Sequence, residues 1–355
     1  MGRGLVWRVG KALAYRSLWM SGGMAALRRM NRRRVPVLCY HSVIGSPVHP
    51  YVADGGLHIP VDSFRRQMEF VQRRYSVVPL EEVVTWLRGE RDELPPNALV
   101  LTFDDGYADN LRWAAPILDA FGFAATVFLT TDHIDTGDPY WWDALNSIMG
   151  SARNPRAEVI EWGEVDLTTP DGVADLRRKG AALLGSVSLE RRSELLARLA
   201  ESCDAAASSD EALRPLTWEE CRGAPPCIRF GAHGASHRLL DSIPHHEAEE
   251  DLSRSGSLLA NRLGDRYTPV LCYPDGRSTQ RIRDDLDSLG YRGAVCASAT
   301  AGTDRLARHD DDPAAIPRLG VNANISGVVF AGNLAGVQAA LSRRRPRQAS
   351  GGSRR

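Results

Sequence analysis

The six cysteines, at 39, 203, 221, 227, 272 and 296, include no C-x-x-C pair. Cys39, Cys272 and Cys296 sit in strand-like apolar runs, so buried free thiols in a reducing compartment are expected. Long apolar runs are missing as well. The longest uncharged stretch near the N-terminus, residues 17–27, is too short to span a bilayer. Arg28, Arg29 and Arg32 to Arg34 follow it, the reverse of the order in a secretory peptide. Acidic residues are missing from both ends: the first 34 residues hold nine Lys/Arg and no acid, and residues 342–355 hold six Arg and no acid. Between them lie 29 basic and 44 acidic residues. An acidic body argues against an extended nucleic-acid surface and leaves the basic ends to meet phosphate or anionic lipid. The expected location is the cytoplasm, with peripheral contact to an anionic membrane at its inner face.

What is present is an alternation of apolar strands and capped helices. Residues 35–41 read as a strand, 62–75 as a helix with Phe64, Met68 and Val71 on one face, and 77–78 as a short strand before the helix Leu80–Leu87. The strand Ala98–Phe103, a helix over 110–121 closed by Gly122, and a strand over 124–129 follow. After a long interval come the strand Ile228–Ala232, a helix over 244–263, a strand over 270–273, a helix over 279–289 and a strand over 291–297. Such repetition indicates parallel βαβ units and an α/β barrel. Residues 134–215 break the rhythm with helical segments at 141–149, 173–184 and 189–201, an insertion expected to act as a lid, a specificity element or a plain buttress. Trp141 and Trp142 at its entrance could stack on a sugar ring or simply pack a core. The expected organisation is therefore a basic amphipathic segment over 1–34, with Leu5, Val6, Val9, Ala12 and Leu13 on one face, a catalytic domain over 35–330, and a disordered basic tail over 331–355.

Barrel chemistry sits where strands end, and two such ends carry reactive side chains. Thr102-Phe103-Asp104-Asp105-Gly106 closes one strand, and His233-Gly234-Ala235-Ser236-His237 follows another. Adjacent carboxylates and two imidazoles four residues apart are the parts of a hydrolytic metal site. One carboxylate and both histidines can hold an ion while the neighbouring carboxylate handles protons, and three protein ligands leave positions open for chemistry. A role for the carboxylates as helix caps alone does not explain two histidines returning to the same barrel end.

These motifs, in this order, with Leu271-Cys272-Tyr273-Pro274-Asp275-Gly276, resemble the polysaccharide deacetylase family with its NodB-homology domain. Their layout is most similar to the poly-N-acetylglucosamine deacetylases. The resemblance covers residues 35 to about 321. It implies a distorted (β/α) barrel in which Asp105, His233 and His237 hold a divalent ion, commonly zinc, and Asp104 is the general base. It also implies an oxyanion site near Tyr273, Pro274, Asp275 and Gly276, and as substrate an acetylated glycan or a lipid-linked amino sugar. Gly106 and Tyr107 would shape the turn beneath the site.

The chain departs from the family pattern in two places. Cys272 and Asp275 stand where Arg and Tyr usually flank the proline, and no Leu-x-His motif appears near the barrel's end, where Pro317-Arg318-Leu319-Gly320-Val321 stands instead. By the resemblance, His41 at the first strand is the candidate general acid. Arg318 is the candidate to orient Asp104 or bind substrate. A non-glycan amidohydrolase and a catalytically silent glycan- or lipid-carrier-binding barrel are the rival functions. His245 and His246 read as solvated, His309 as part of an acidic loop over 310–312 that could bind a cation weakly, and His49 and His58 as loop residues.

Overall fold

In the computed structural model the apolar runs become strands buried on both faces. Residues 13–45, 56–185, 187–205, 213–296 and 305–338 are described. The strands are β1 (Val37–Tyr40), β2 (Ser42–Ile44), β3 (His58–Pro60), β4 (Ser76–Val77), β5 (Ala98–Phe103), β6 (Ala125–Leu129), β7 (Arg156–Val159), β8 (Gly163–Asp166), β9 (Ile228–Ala232), β10 (Tyr267–Cys272), β11 (Gly293–Val295) and β12 (Leu319–Gly320). The main sheet is parallel, in the order β11-β10-β9-β6-β5-β1-β12, with β4 against the start of β5. Ile316, just before β12, bridges Val295 of β11. The chain from 316 to 320 therefore touches both ends of the curled sheet and closes it into the expected distorted (β/α) barrel.

Alternation along each strand sorts side chains into two cores, because successive residues point to opposite faces. Val37, Ala98, Val100, Val270 and Val295 fill the barrel interior with Val83, Val84 and Leu87 from the helix Leu80–Leu87. Leu38, Leu99, Leu101, Val127 and Phe230 face the outer helices. There Val61–Gln72 buries Phe64, Met68 and Val71, and His245–Leu263 buries Ala248, Leu252 and Leu259. The expected helix over 110–121 opens with a π-turn, Asn110–Ala114, before Ala115–Phe121, which ends at left-handed Gly122. The helix expected over 279–289 is shorter, Gln280–Asp284. All six cysteines are unpaired, and all but Cys227 are buried.

The insertion has its own core of Leu145, Ile148, Trp162, Leu176 and Leu199. Its helices Trp141–Ser151, Pro170–Leu184 and Leu189–Ser202 were expected; the antiparallel pair β7 and β8 was not. The period-2 signal is weak there: Ala157 and Val159 point inward against exposed Arg156 and Glu158, and Val165 is buried beside exposed Glu164.

The N-terminal segment is packed on the barrel. Helical residues 13–20 turn through left-handed Gly22 into the helix Gly23–Met30. Tyr15 and Met24 are buried against Ala331, Ala335 and Val337, and Tyr15 donates to Asn333 Oδ1 at 2.7 Å. A Cβ on Gly332 would lie 2.5 Å from the Tyr15 ring, so close packing requires glycine. The helix Gly327–Leu334 runs through the expected boundary at residue 330. Most of the apolar face over 5–13, His49 and the tail over 342–355 lie outside the described residues. Among the described residues no helix is long and apolar enough to cross a membrane.

Candidate active site

The strand ends converge as parallel strands require. Asp104 and Asp105 follow β5, His233 and His237 follow β9, Cys272 ends β10, and His41 follows β1. Asp105 (φ 70°) and Gly106 (φ 66°) are both left-handed, turning the chain sharply after β5. A Cβ on Gly106 would lie 2.5 Å from Leu129 Cδ2, which explains the glycine. Tyr140 donates a short hydrogen bond to the Asp105 carbonyl and so pins the strained residue.

Asp105 Oδ1 lies 3.3 Å from His233 Nε2 and 3.4 Å from His237 Nε2. His233 Nδ1 lies 2.7 Å from the Cys272 carbonyl, to which it donates, turning Nε2 towards the centre of the group. Burial works to raise the Asp105 carboxyl, yet hydrogen bonds to His233 and His237 hold it well below the carboxylate range. One carboxylate oxygen and two imidazole nitrogens within 4.8 Å of one another suit a divalent cation with positions left open. Two alternative groupings share Asp104, with Cys39 and His41 or with His233 and Cys272. They suit an ion less, because Arg318 engages both oxygens of Asp104 and burial holds both thiols protonated.

Arg318 supplies the guanidinium that the Cys272 position lacks. Its Nη1 and Nη2 donate to the two oxygens of Asp104 at 2.6 and 2.7 Å, a bidentate pair. Nε donates to the Cys296 carbonyl at 2.8 Å, and Nη2 lies 3.1 Å from Cys272 Sγ, filling the space beside the small thiol. Burial works to raise the Asp104 carboxyl, but Arg318 outweighs it and keeps the group ionised. Arg318 is 0 % exposed and does not line the cavity, so the substrate-binding alternative for it is corrected to an internal one: it touches Asp104, not solvent. His41 Nε2 lies 3.9 Å from Asp104 Oδ2 and its side chain is 25 % exposed.

The third motif is only partly at the site. Asp275, left-handed at φ 53°, lines the cavity. Tyr273 does not: it is buried and its hydroxyl donates to the Ala314 carbonyl at 2.9 Å, which corrects its expected place beside substrate. Pro274 and Gly276 are buried, and the Gly276 N–H donates to the Tyr273 carbonyl at 2.8 Å, so the turn consumes an expected oxyanion donor.

Several supporting residues escaped the sequence reading. Arg192 of the insertion is buried and donates to the carbonyls of Leu184, Ser236 and His237 at 2.7, 2.8 and 3.1 Å. Burial lowers its pKa to about 10. Asp251 accepts from the N–H groups of Ala235 and Ser236 at 2.7 and 3.1 Å, clamping the loop between the histidines. Each was detectable as a charge on an apolar helix stripe: Arg192 among Leu189, Leu195, Leu196 and Leu199, and Asp251 among Ala248, Leu252 and Leu259.

His58 also proves to be buried, with Ser42 Oγ at 2.7 Å and Asp143 Oδ1 at 3.7 Å. Asp143 accepts from Tyr107 at 2.7 Å, and Tyr107 accepts from Trp142 Nε1 at 2.8 Å. His245, expected to be solvated, instead contacts Glu249 and Asp285 at 3.3 and 3.1 Å. His246 is exposed. His309 packs its ring edge-on against Trp86, and Asp311 of the acidic loop is taken by Arg305.

Above the site lies a cavity of about 1170 Å³. Trp141, Trp142, Ala181 and Gly185 form one wall, and Asn322, Asn324, Val329 and Asn333 form another. The insertion thus both lines the cavity and buttresses His237.

Comparison with known proteins gives a consistent picture. The family model for polysaccharide deacetylase matches residues 91–192 and 209–294, more than half of the chain. The candidate polysaccharide deacetylase YxkH of Bacillus subtilis (strain 168) is 32% identical over 98 residues, 27% of this chain. The matched stretch spans only 32% of that relative. Among solved structures, the Streptococcus pyogenes deacetylase PplD in complex with acetate has a TM-score of 0.54 at 16% identity, covering 85% of this chain and 98% of that one. IcaB from Ammonifex degensii has a TM-score of 0.52 at 17% identity, covering 85% and 96%. At these identities the likeness is one of fold.

Proposed function

The chain belongs to the polysaccharide deacetylase family, and from that premise we propose a divalent-metal-dependent hydrolase that removes acetyl groups from an N-acetylated amino sugar of an envelope glycan or its lipid-linked precursor. One observation carries the reading: an Asp105, His233 and His237 ligand set lies beside an ionised, Arg318-held Asp104 on the floor of one cavity. The volume of about 1170 Å³ exceeds the roughly 300–1,000 Å³ usual for small ligands, which suits an oligomeric or lipid-linked sugar. The likeness in motif order to poly-N-acetylglucosamine deacetylases supports the same substrate class.

We assign the metal to Asp105, His233 and His237, with zinc favoured by the mixed oxygen and nitrogen donors. When bound, the ion supplies a Lewis acid that polarises the acyl oxygen and makes water more acidic. Asp104, kept deprotonated and fixed in plane by Arg318, accepts the proton of the attacking water as a C–O bond forms at the acyl carbon. His41, across the cavity floor, donates a proton to the amine nitrogen as the C–N bond breaks, releasing acetate and the free amino sugar. The intact Asp104–Arg318 pair favours turnover over the silent binding barrel.

Acetate release from short N-acetylglucosamine oligomers tests the reading, after chelation and after return of zinc. Release should require the metal, fall by about 10²–10⁴ in Asp104→Asn, the usual size of a proton-transfer contribution, and vanish with the ion in His233→Ala. Stoichiometric zinc binding without release from any acetylated sugar would refute the substrate class. Absence of zinc binding would refute the site.

A further inference from the structure

The N-terminal helical hairpin carries a surface that the acyl chemistry does not use. Its inner face is committed: Tyr15 and Met24 are buried against the helix Gly327–Leu334, with Leu18 and Leu27 packed beside them. Its outer face is apolar where solvent-facing helices are normally polar. Leu13 is 59 %, Trp19 45 %, Met20 86 % and Met30 80 % exposed, four of the five large exposed hydrophobic residues among those described. Leu13, Arg16 and Met20 fall on one stripe of the first helix at i, i+3 and i+7, and Ala26 and Met30 on one stripe of the second at i, i+4. Residues 13–34 hold six arginines and no acidic residue. Arg16, Arg29, Arg32 and Arg33 are exposed, so guanidinium groups border the apolar side chains. Among the described residues, Arg33 faces Glu93 at 3.8 Å with both side chains largely in water, and no ion pair engages Arg16, Arg29 or Arg32.

We infer that this hairpin docks the protein on an anionic bilayer, with Leu13, Trp19, Met20 and Met30 entering the headgroup region and Arg16, Arg29 and Arg32 meeting lipid phosphates. Charge decides between a membrane and a second protein: an all-basic border around an apolar centre matches a negatively charged interface, whereas a second copy of this chain would bring arginine against arginine. Position supports the same choice. Val329 packs against the hairpin cluster and also lines the catalytic cavity, and Asn333 lines the cavity while accepting from Tyr15. Docking therefore brings one wall of the cleft to the bilayer. The inference does not depend on the acyl substrate.

Co-sedimentation of the full chain with phosphatidylglycerol/phosphatidylcholine vesicles, against pure phosphatidylcholine, is the test. Wild type should bind the anionic vesicles and release as salt rises. Trp19→Ser/Met20→Ser/Met30→Ser should lower the bound fraction at least tenfold while melting and turning over soluble substrate as wild type does, since these side chains are exposed. Arg16→Ser/Arg29→Ser/Arg32→Ser should lower affinity by about fivefold per charge removed and flatten the salt dependence. Equal binding to both vesicle types, no binding, or undiminished binding by the apolar variant would overturn the inference. So would loss of binding on removal of residues 1–11 alone with the apolar variant unaffected, because the contact would then lie in the preceding segment.

Discussion

Arg318, itself without solvent contact, joins the nearly buried Asp104 through two short hydrogen bonds, and removing one partner of such a pair strands the other charge in a low dielectric. Arg318→Leu should therefore lower unfolding free energy by about 3–5 kcal/mol in urea titrations and depress kcat with zinc content unchanged. Removing both charges, in Arg318→Leu/Asp104→Leu, should recover much of the stability and none of the turnover. His133 offers a separate test through pH. Burial is the main force lowering its pKa to about 3; Nδ1 lies 2.9 Å from the Asp138 carbonyl, and Nε2 has no hydrogen-bond partner among the described residues. The unfolded chain takes up a proton near pH 6.5 and the folded chain does not until near pH 3, so this contribution is present above pH 6.5 and lost as pH falls towards 3. Between pH 7 and pH 5 wild type should lose about 2 kcal/mol that His133→Gln retains, read from chemical unfolding at each pH.

At the scale of elements, the repeating strands and helices were legible because each parallel strand is buried on both faces and each covering helix has one apolar stripe. The β7–β8 hairpin was not, because its short alternation lies between long helical patterns and Gly163 at φ 65° is the only turn signal. The pairing of Arg318 with Asp104 was suggested by the missing arginine at Cys272, but its geometry depends on β12 registering against β1, Leu38 with Leu319, and no local pattern encodes that register. The part of the insertion in the site was hidden for the same reason: Arg192 reaches the carbonyls at 236 and 237 across 44 and 45 residues. If that clamp positions His237, Arg192→Leu should weaken zinc binding by about 10–100-fold, the usual effect of losing a ligand's support, in competition with a chromogenic chelator. An unchanged affinity would reduce the contact to packing.

For the molecule as a whole, the N-terminal hairpin is part of the folded body. A detachable leader could be cut away without effect, whereas removal of residues 1–34 should uncover Ala331, Ala335 and Val337 and lower the thermal midpoint. Tyr15→Ala alone should cost about 3 kcal/mol, typical of a buried aromatic, in equilibrium unfolding. The barrel's closure also has a consequence for how the protein is made. Asp104 and Arg318 are 214 residues apart, so on a ribosome adding about 5–20 residues per second, roughly 10–40 s pass between their synthesis. Throughout that interval the nascent chain can display both carboxylates, and in time both histidines, without the guanidinium that holds Asp104. A chain stalled or truncated after residue 237 but before residue 318 would carry every donor of the metal set and still lack a fixed base, so vectorial synthesis leaves hydrolytic competence among the last properties the protein acquires.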